Sequence, residues 1–315
     1  MTQKQPTIET ALPQSVDDPT LFDVEADALP VTLADKFIVG PFSVLDRRQG
    51  DWRQRKAKWL SLGIKSELGR AEGLVGATTG MVGTAYTGST TSVFDPVLCE
   101  LAYRWFSAPG DRVLDPFAGG SVRGIVASTL ARDYVGVELR RDQVAANREQ
   151  SHLGSSITPI WIEGDATQVE ALLPDYEADL VFTCPPYADL EVYSDDPRDL
   201  SNMHYDDFLS AYGSALAASA SLLRGDRFFV IVISDVRDRY GNYRGLVADT
   251  IKSAQSAGLA LYNDAVVLDP VGSARLRAGL HFKYRKLTRL HQHFLVFVKG
   301  DARAASVRLS GEVSQ

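Results

Sequence analysis

The chain has 315 residues, 45% hydrophobic and 23% charged, with a formal net charge of -7, a make-up that fits one large domain with appendages and a substantial core. Two cysteines, Cys99 and Cys184, and five histidines without ligand spacing exclude a disulfide framework and a four-ligand zinc site, so no metal is expected. No apolar run approaches the ~20 residues that cross a bilayer and no signal-peptide pattern opens the chain, so the expectation is a cytoplasmic protein without a membrane partner.

Residues 1–40 mix Pro, Asp and Thr without apolar periodicity. They carry Glu9, Asp17, Asp18, Asp23, Glu25, Asp27 and Asp35 against Lys4 and Lys36, which reads as a disordered acidic tail that holds most of the charge deficit. Residues 41–92 form an N-terminal extension. Within it Trp52 and Trp59, seven residues apart, share one helical face, a spacing that favours core packing over base stacking. Arg47, Arg48, Arg53 and Arg55 beside them offer a secondary phosphate contact. Residues 73–92, rich in Gly and Thr, form a loop that serves equally as a lid or a plain linker.

From Phe94 the pattern alternates between helix and strand. A helix fits 96–106, and strands fit 112–114, 133–138, 158–163, 180–183, 228–233, 260–268 and 293–299, with helices between most of them. The implied fold is α/β, a doubly wound, mostly parallel seven-stranded sheet covered on both faces, with ligands outside the carboxyl ends of its strands. This main domain spans 93–300, and 301–315 reads as a flexible C-terminal tail.

The first of these strands runs into Asp115, Pro116, Phe117, Ala118, Gly119, Gly120 and Ser121, followed by a helical stretch through Leu130. Glycine lets a backbone approach a ligand closely, and the helix that follows offers free amides, so this is a small-molecule cradle. Nineteen residues past Gly119, Glu138 closes the second strand, where an acid in such sheets accepts hydrogen bonds from ribose hydroxyls. Asp165, with Ala166 after the third strand, is placed to receive an adenine amino group. Neither G-x-G-x-x-G nor a P-loop lysine is present. The apolar run 179–183 then ends in Cys184, Pro185, Pro186 and Tyr187, a rigid step that carries an aromatic ring at a strand edge and suits the grip of a flat, extruded base. Each element alone reads as a cap, a turn or a packed ring; their order is what is specific.

That order resembles the amino-group DNA methyltransferases, which act on adenine N6 or cytosine N4, and phage-borne members especially, over roughly 94–299. The resemblance implies a Rossmann-like methyltransferase fold, S-adenosyl-L-methionine as cofactor, and double-stranded DNA with a flipped base as partner. Phe94, Asp95 and Pro96 resemble the segment that contacts the cofactor's methionine end, and 115–121 resembles the family's Asp-Pro-Phe-x-Gly-Ser signature. Glu138 and Asp165 fall at its ribose and adenine positions. Residues 183–187 match its Asp/Asn/Ser-Pro-Pro-Tyr/Phe step, which makes Cys184, Pro185, Pro186 and Tyr187 the catalytic residues by resemblance. One departure stands out: the family's acceptor is replaced by Cys184, and a thiol accepts hydrogen bonds weakly. The Pro185 carbonyl remains, with Thr183 or Asp189 as replacements for the missing acceptor. Covalent attack by Cys184, as in cytosine C5 methylation, is disfavoured because that cysteine follows the prolines and is accompanied by a Glu-Asn-Val motif not found here.

Residues 271–300 hold Arg275, Arg277, Lys283, Arg285, Lys286, Arg289 and Lys299 and no carboxylate, so the first six are expected to grip phosphates, the alternative being an exposed hairpin of solvated arginines. The segment with Asp189, Glu191, Tyr193, Asp195 and Asp196 is acidic and aromatic; it either borders the base pocket or packs on the core. No separate target-recognition domain of the usual size fits between the motifs. RNA as substrate, or a catalytically inactive nucleic-acid-binding homologue, are the alternative readings.

Overall fold

The computed structural model describes residues 37–65, 94–188, 193–272 and 274–310. Most of the acidic tail, the Gly/Thr-rich loop, Asp189 and Glu191 lie outside these residues. Among them eight strands form one sheet: β1 (Val44–Asp46), β2 (Arg112–Asp115), β3 (Asp133–Glu138), β4 (Ile160–Glu163), β5 (Ala178–Thr183), β6 (Leu223–Ile233), β7 (Ala260–Leu268) and β8 (His291–Lys299). Their order is β1-β7-β8-β6-β5-β2-β3-β4, all parallel except β8, which runs antiparallel to both β6 and β7. From β2 the chain winds outward through β3 and β4, then returns to β5 on the other side of β2. This reversal leaves a crevice at the carboxyl ends of β2 and β5, where such sheets bind ligands. An antiparallel strand inserted between the last two parallel ones makes this the Rossmann-like methyltransferase arrangement. The seven expected strands are all present. The eighth, β1, comes from the extension and is too short, at three residues, to show a periodic pattern.

Strands buried on both faces read as continuous apolar runs. In β6, Phe228, Val230 and Val232 point into one core and Phe229, Ile231 and Ile233 into the other. The first core is covered by α1 (Gly50–Leu60), α2 (Pro96–Phe106), α3 (Val122–Thr129), α4 (Arg141–Glu149) and α9 (Ala302–Leu309). The second is covered by α5 (Val169–Leu172), α6 (Tyr205–Leu222) and α7 (Leu246–Ser256). Each large aliphatic or aromatic side chain buried in this way contributes about 1.5–3 kcal/mol. Trp52 and Trp59 are both buried in the first core, so their seven-residue spacing serves packing.

Three segments differ from the sequence expectation. Residues 37–40, read as the end of a disordered tail, pack Ile38 and Val39 on the first core, and Trp105 Nε1 donates to the Phe37 carbonyl at 3.1 Å. Residues 302–309, read as a flexible tail, form α9. The Asp301 side chain caps it by accepting from the Arg303 and Ala304 amides, Ala305 and Leu309 are buried, and Arg308 pairs with Asp111 at 2.6 Å. The cation-rich stretch between the last two strands, read as a loop with an exposed hairpin as the alternative, contains α8 (Ala274–Lys283), of which only Ala274 is buried among the described residues. With no apolar stripe to follow, its helical period is invisible in sequence. No helix among the described residues is long and apolar enough to cross a membrane, and none of their His, Cys, Asp and Glu side chains gather in threes as a metal site requires.

Candidate active site

β2, β3, β4 and β5 run parallel, so the loops after all four leave the same edge of the sheet and together line a cavity of about 280 Å³. Phe94, Asp95, Pro116, Phe117, Gly119, Gly120, Glu138, Asp165 and Ala166 line it, and so do all of Cys184, Pro185, Pro186 and Tyr187. The nucleoside-type acceptors and the Pro-Pro-Tyr step therefore open into one space. Four residues expected to touch a cofactor stand behind the wall instead: Pro96 is the first residue of α2, and Asp115, Ala118 and Ser121 are fully buried.

Asp115 is a structural hub. Its Oδ2 receives Arg123 Nε at 2.5 Å and the Tyr134 hydroxyl at 2.8 Å, and its Oδ1 receives the Thr183 hydroxyl at 2.7 Å. The Phe117 amide adds a longer bond to Oδ1 at 3.3 Å, and the three side-chain donors are buried, so the carboxylate is compensated by protein. Burial alone would weaken the charge on Arg123, but Asp115, together with Tyr134 and Cys184, more than offsets it and holds the guanidinium firmly protonated. Arg123 Nη2 also donates to the carbonyls of Phe117 (2.5 Å) and Ala118 (2.9 Å), and its plane lies 4.7 Å over the Phe94 ring. One buried cation thus fixes the turn that carries the glycines. Gly119 adopts φ +52°, and a Cβ there would meet nothing within 4 Å, so the cradle presents bare backbone toward open cavity. Both of its backbone groups are held, the N–H by Glu138 Oε2 at 2.9 Å and the carbonyl by Asn147 Nδ2 at 2.7 Å.

Glu138 accepts a second amide, from Arg140, on Oε1 at 3.0 Å. Burial pushes its carboxyl above the ordinary range, and the two amides and the Arg140 charge only partly offset this. Each oxygen keeps a lone pair for a further donor. Asp165 Oδ1 caps a short 3-10 turn by accepting from the Thr167 amide at 2.8 Å. Its Oδ2 has no hydrogen-bond partner among the described residues. Val137, Leu139 and Ala166, adjacent in sequence to the two acids, add apolar lining to the cavity. Two spaced carboxylates, a bare glycine turn and an apolar slot match what an adenosine moiety needs: acceptors for ribose hydroxyls and an amino group, and a face for a flat ring.

At the end of β5 the Tyr187 hydroxyl lies 3.5 Å from Cys184 Sγ and 3.4 Å from Gln292 Oε1. Burial, and then the neighbouring Cys184, push the Tyr187 phenol well up, so it is neutral and can donate. Thr183 does not stand in for the family's acceptor. It is fully buried, its hydroxyl is donated to Asp115, and it is absent from the cavity wall. Asp189 lies outside the described residues. Of the acidic segment, Tyr193, Arg198 and Asp199 border the cavity, with Arg198 paired to Asp196 at 2.6 Å.

The extension adds Arg47 to the wall. Asp95 caps α2 by accepting from the Val97 amide on Oδ1, shares that oxygen with Trp52 Nε1, and receives Arg47 Nε and Lys56 Nζ on Oδ2. Its carboxylate is occupied by protein donors, so it ties α1 to the domain rather than offering an unoccupied acceptor. Arg47 also pairs with Asp269, Arg55 and Trp59 hold buried Glu100, and Arg48 is bound to Asp46. Of the four arginines weighed for a secondary phosphate contact, three are engaged within the fold. Arg123, Arg140, Asn147 and Gln292 escaped sequence reasoning because only the fold brings them to this edge, and Arg47, read there as a phosphate contact, is instead held by Asp95 and Asp269.

Arg275, Arg277, Lys283 and Arg285 are exposed on and just after α8, and Lys286 and Arg289 are half-buried. None has a carboxylate partner among the described residues. Three of them lie over rings, Arg285 over Phe282 at 5.0 Å, Lys286 over Tyr284 at 5.8 Å and Arg289 over Tyr243 at 5.1 Å, and Arg289 Nη1 also donates to Ser234 Oγ at 3.5 Å. The segment leaves the carboxyl end of β7 and returns into β8, so it rises from the same sheet edge as the cavity.

No family model matches the chain. Over 65 residues it is 37% identical to the Type II methyltransferase M.SmaI of Serratia marcescens, a match covering 21% of this chain and 22% of that one. Over 67 residues it is 39% identical to the Type II methyltransferase M.XycI of Xanthomonas campestris pv. cyanopsidis, again 21% and 22%. The match thus spans about a fifth of the length of these curated relatives. Among solved structures it is similar to a putative DNA modification methylase from Thermus thermophilus (TM-score 0.32, 22% identity, 44% of this chain and 52% of that one). It is also similar to TrmN from the same organism (TM-score 0.45, 18% identity, 65% and 49%).

Proposed function

We infer that this chain is an S-adenosylmethionine-dependent DNA methyltransferase of the amino-group family, which modifies adenine N6 or cytosine N4 in a flipped base. The observation that carries the reading is that Glu138, Asp165, the Gly119 turn and Cys184–Tyr187 line a single cavity at the switch point of the sheet. The local identity to Type II methyltransferases supports it.

In this reading Glu138 accepts the ribose hydroxyls, Asp165 Oδ2 receives the adenine amino group, and Phe94 with the Gly119 turn borders the methionyl end. When bound, S-adenosylmethionine supplies an electrophilic methyl group on a sulfonium. The protein's task is to make a poor nucleophile attack it. The exocyclic amine's lone pair is delocalised into the base, so acceptors that draw on its hydrogens restore its basicity, and the Pro185 carbonyl is one of them. Tyr187, held by its hydroxyl, presents its ring for the base to stack on. Alignment in a narrow cavity then contributes much of the rate. The cations of and after α8 are placed to hold backbone phosphates, with double-stranded DNA as partner. The setting is a bacterial cytoplasm, whether the gene is the cell's or a phage's.

The test is a tritiated-methyl transfer assay on duplex DNA, with unlabelled DNA and structured RNA as competitors, followed by nucleoside analysis of the product. Label appearing in N6-methyladenine or N4-methylcytosine, competed by DNA, is the expected result. Competition by RNA alone moves the substrate to RNA, and cofactor binding without turnover on either makes the chain an inactive binding homologue.

A further inference from the structure

Cys184 leaves the site described above short of one strong acceptor, and β8 brings another side chain into the same cavity. β8 is the one antiparallel strand, so it starts at the edge where the parallel strands end, and its second residue, Gln292, pairs in register with Val267 and lines the cavity beside Cys184 and Tyr187. We propose that the Gln292 side-chain carbonyl accepts a hydrogen of the target amine, in the role the family gives to the residue that is Cys184 here. This rests on the reading of the cavity as an amino-methyltransferase site.

Three observations converge on it. First, reach: Gln292 Oε1 lies 3.4 Å from the Tyr187 hydroxyl, which in turn lies 3.5 Å from Cys184 Sγ, so the three polar heads are linked on the wall of one cavity. Second, orientation: Gln292 Nε2 sits 3.4 Å from Asp269 Oδ2, and a carboxylate only accepts, so the amide's NH₂ is turned to Asp269 and its oxygen to Tyr187. Asp269 is itself fixed by Arg47, whose guanidinium also holds Asp95. Third, capacity: an amide oxygen has two lone pairs, of which Tyr187 uses one, whereas a thiol sulfur is a weak acceptor at best. Other groups near the step are committed. Thr183 is buried against Asp115, and Asp199 already accepts from Ser194 and Ser201.

The chemistry balances without Gln292 taking a proton. As the amine nitrogen forms its bond to the methyl carbon, the carbon–sulfur bond breaks and sulfur keeps that electron pair. The nitrogen becomes cationic and its hydrogens more acidic, so an acceptor aligned with one of them strengthens its bond in the transition state. The surplus proton then leaves to water once the base withdraws.

The experiment measures single-turnover methylation of duplex DNA, with calorimetric affinity for S-adenosylhomocysteine as the folding control. Gln292→Leu is expected to slow transfer by roughly 10²-fold, the usual cost of one transition-state hydrogen-bonding group, with cofactor affinity within about twofold of wild type. In a Cys184→Asp background, where the family's acceptor is restored, the same Gln292→Leu change is expected to cost less than about fivefold, because one amine hydrogen then has a second acceptor. Gln292→Glu is expected to transfer methyl groups with a new ionisation in its rate profile, slow below the introduced carboxyl's pKa and fast above it. Gln292→Leu at a near-normal rate, or an undiminished loss in the Cys184→Asp background, overturns the proposal while wild-type methylation of a base amine leaves the underlying reading standing. If Gln292→Leu also loses cofactor, the pH profile of Gln292→Glu decides, and a profile identical to wild type overturns it. A wild-type chain that methylates no base amine removes both.

Discussion

Replacing Arg123 with Met probes the cradle from behind. The side chain is 5% exposed and its partner Asp115 fully buried, so the change leaves a carboxylate in the interior with only neutral donors, the hydroxyls of Tyr134 and Thr183 and the Phe117 amide, to stabilise it. Removing one partner of a buried ion pair costs about 3–5 kcal/mol. The carbonyls of Phe117 and Ala118 lose a donor as well, and methionine recovers part of this by filling the space. A net loss of about 4 kcal/mol is a large share of the ~5–15 kcal/mol that holds a domain folded. At a urea slope of about 3 kcal/mol/M it moves the unfolding midpoint down by about 1.3 M. Because the same guanidinium fixes the turn around Gly119, affinity for S-adenosylhomocysteine is expected to fall about tenfold, near 1.4 kcal/mol. Adding Asp115→Asn removes the orphaned charge, so the double variant is expected to recover a good part of the midpoint but not the affinity. A midpoint shift under about 0.3 M with unchanged affinity would refute the view that Arg123 organises this turn.

Gly119→Arg is expected to abolish calorimetric binding of S-adenosylhomocysteine, since its side chain enters the cavity from a φ of +52° that already disfavours it; retained affinity would move the cofactor elsewhere. Glu138 gives a pH dependence of definite sign. Burial raises its carboxyl, and only the ionised form accepts from two hydroxyls, so cofactor affinity is expected to weaken as pH falls, starting above the normal glutamate range, and Glu138→Gln to bind weakly with no such dependence. Titrations by fluorescence across pH 4–8 would show a flat wild-type curve if the assignment is wrong. Changing Arg285, Lys286 and Arg289 together to Ala is expected to reduce the slope of log affinity for duplex DNA against log salt by up to ~2.7, about 0.9 per phosphate contact. An identical slope would place the phosphates elsewhere.

The sheet was largely legible because its strands are buried on both faces. Runs such as Phe228–Ile233 announce themselves without any partner, and β3 has the bounds that its apolar run gives, while β7 matches its expected bounds although its first half is exposed. Legibility failed where a segment owes its structure to something distant. β1 is held by pairing with Val266–Leu268, more than two hundred residues away, and α9 by Arg308 reaching Asp111. At the cavity, the residues legible in sequence were those on contiguous turns after strands. Asp115 belongs to such a turn yet faces inward, because the signature that marks it also serves to anchor Arg123 and Thr183. Gln292 carried no signal, since it sits on the last strand, at the position that only an antiparallel insertion delivers to this edge.

Arg47, on the cavity wall, is shared between two acids far apart in the chain, Asp95 before α2 and Asp269 after β7. The extension therefore behaves as a clasp across the mouth rather than an appendage. A ligand that binds more tightly with the extension docked stabilises that docking in return, so a protein deprived of residues 41–65 is expected to hold its small ligand more weakly, although that segment carries neither Glu138 nor Asp165.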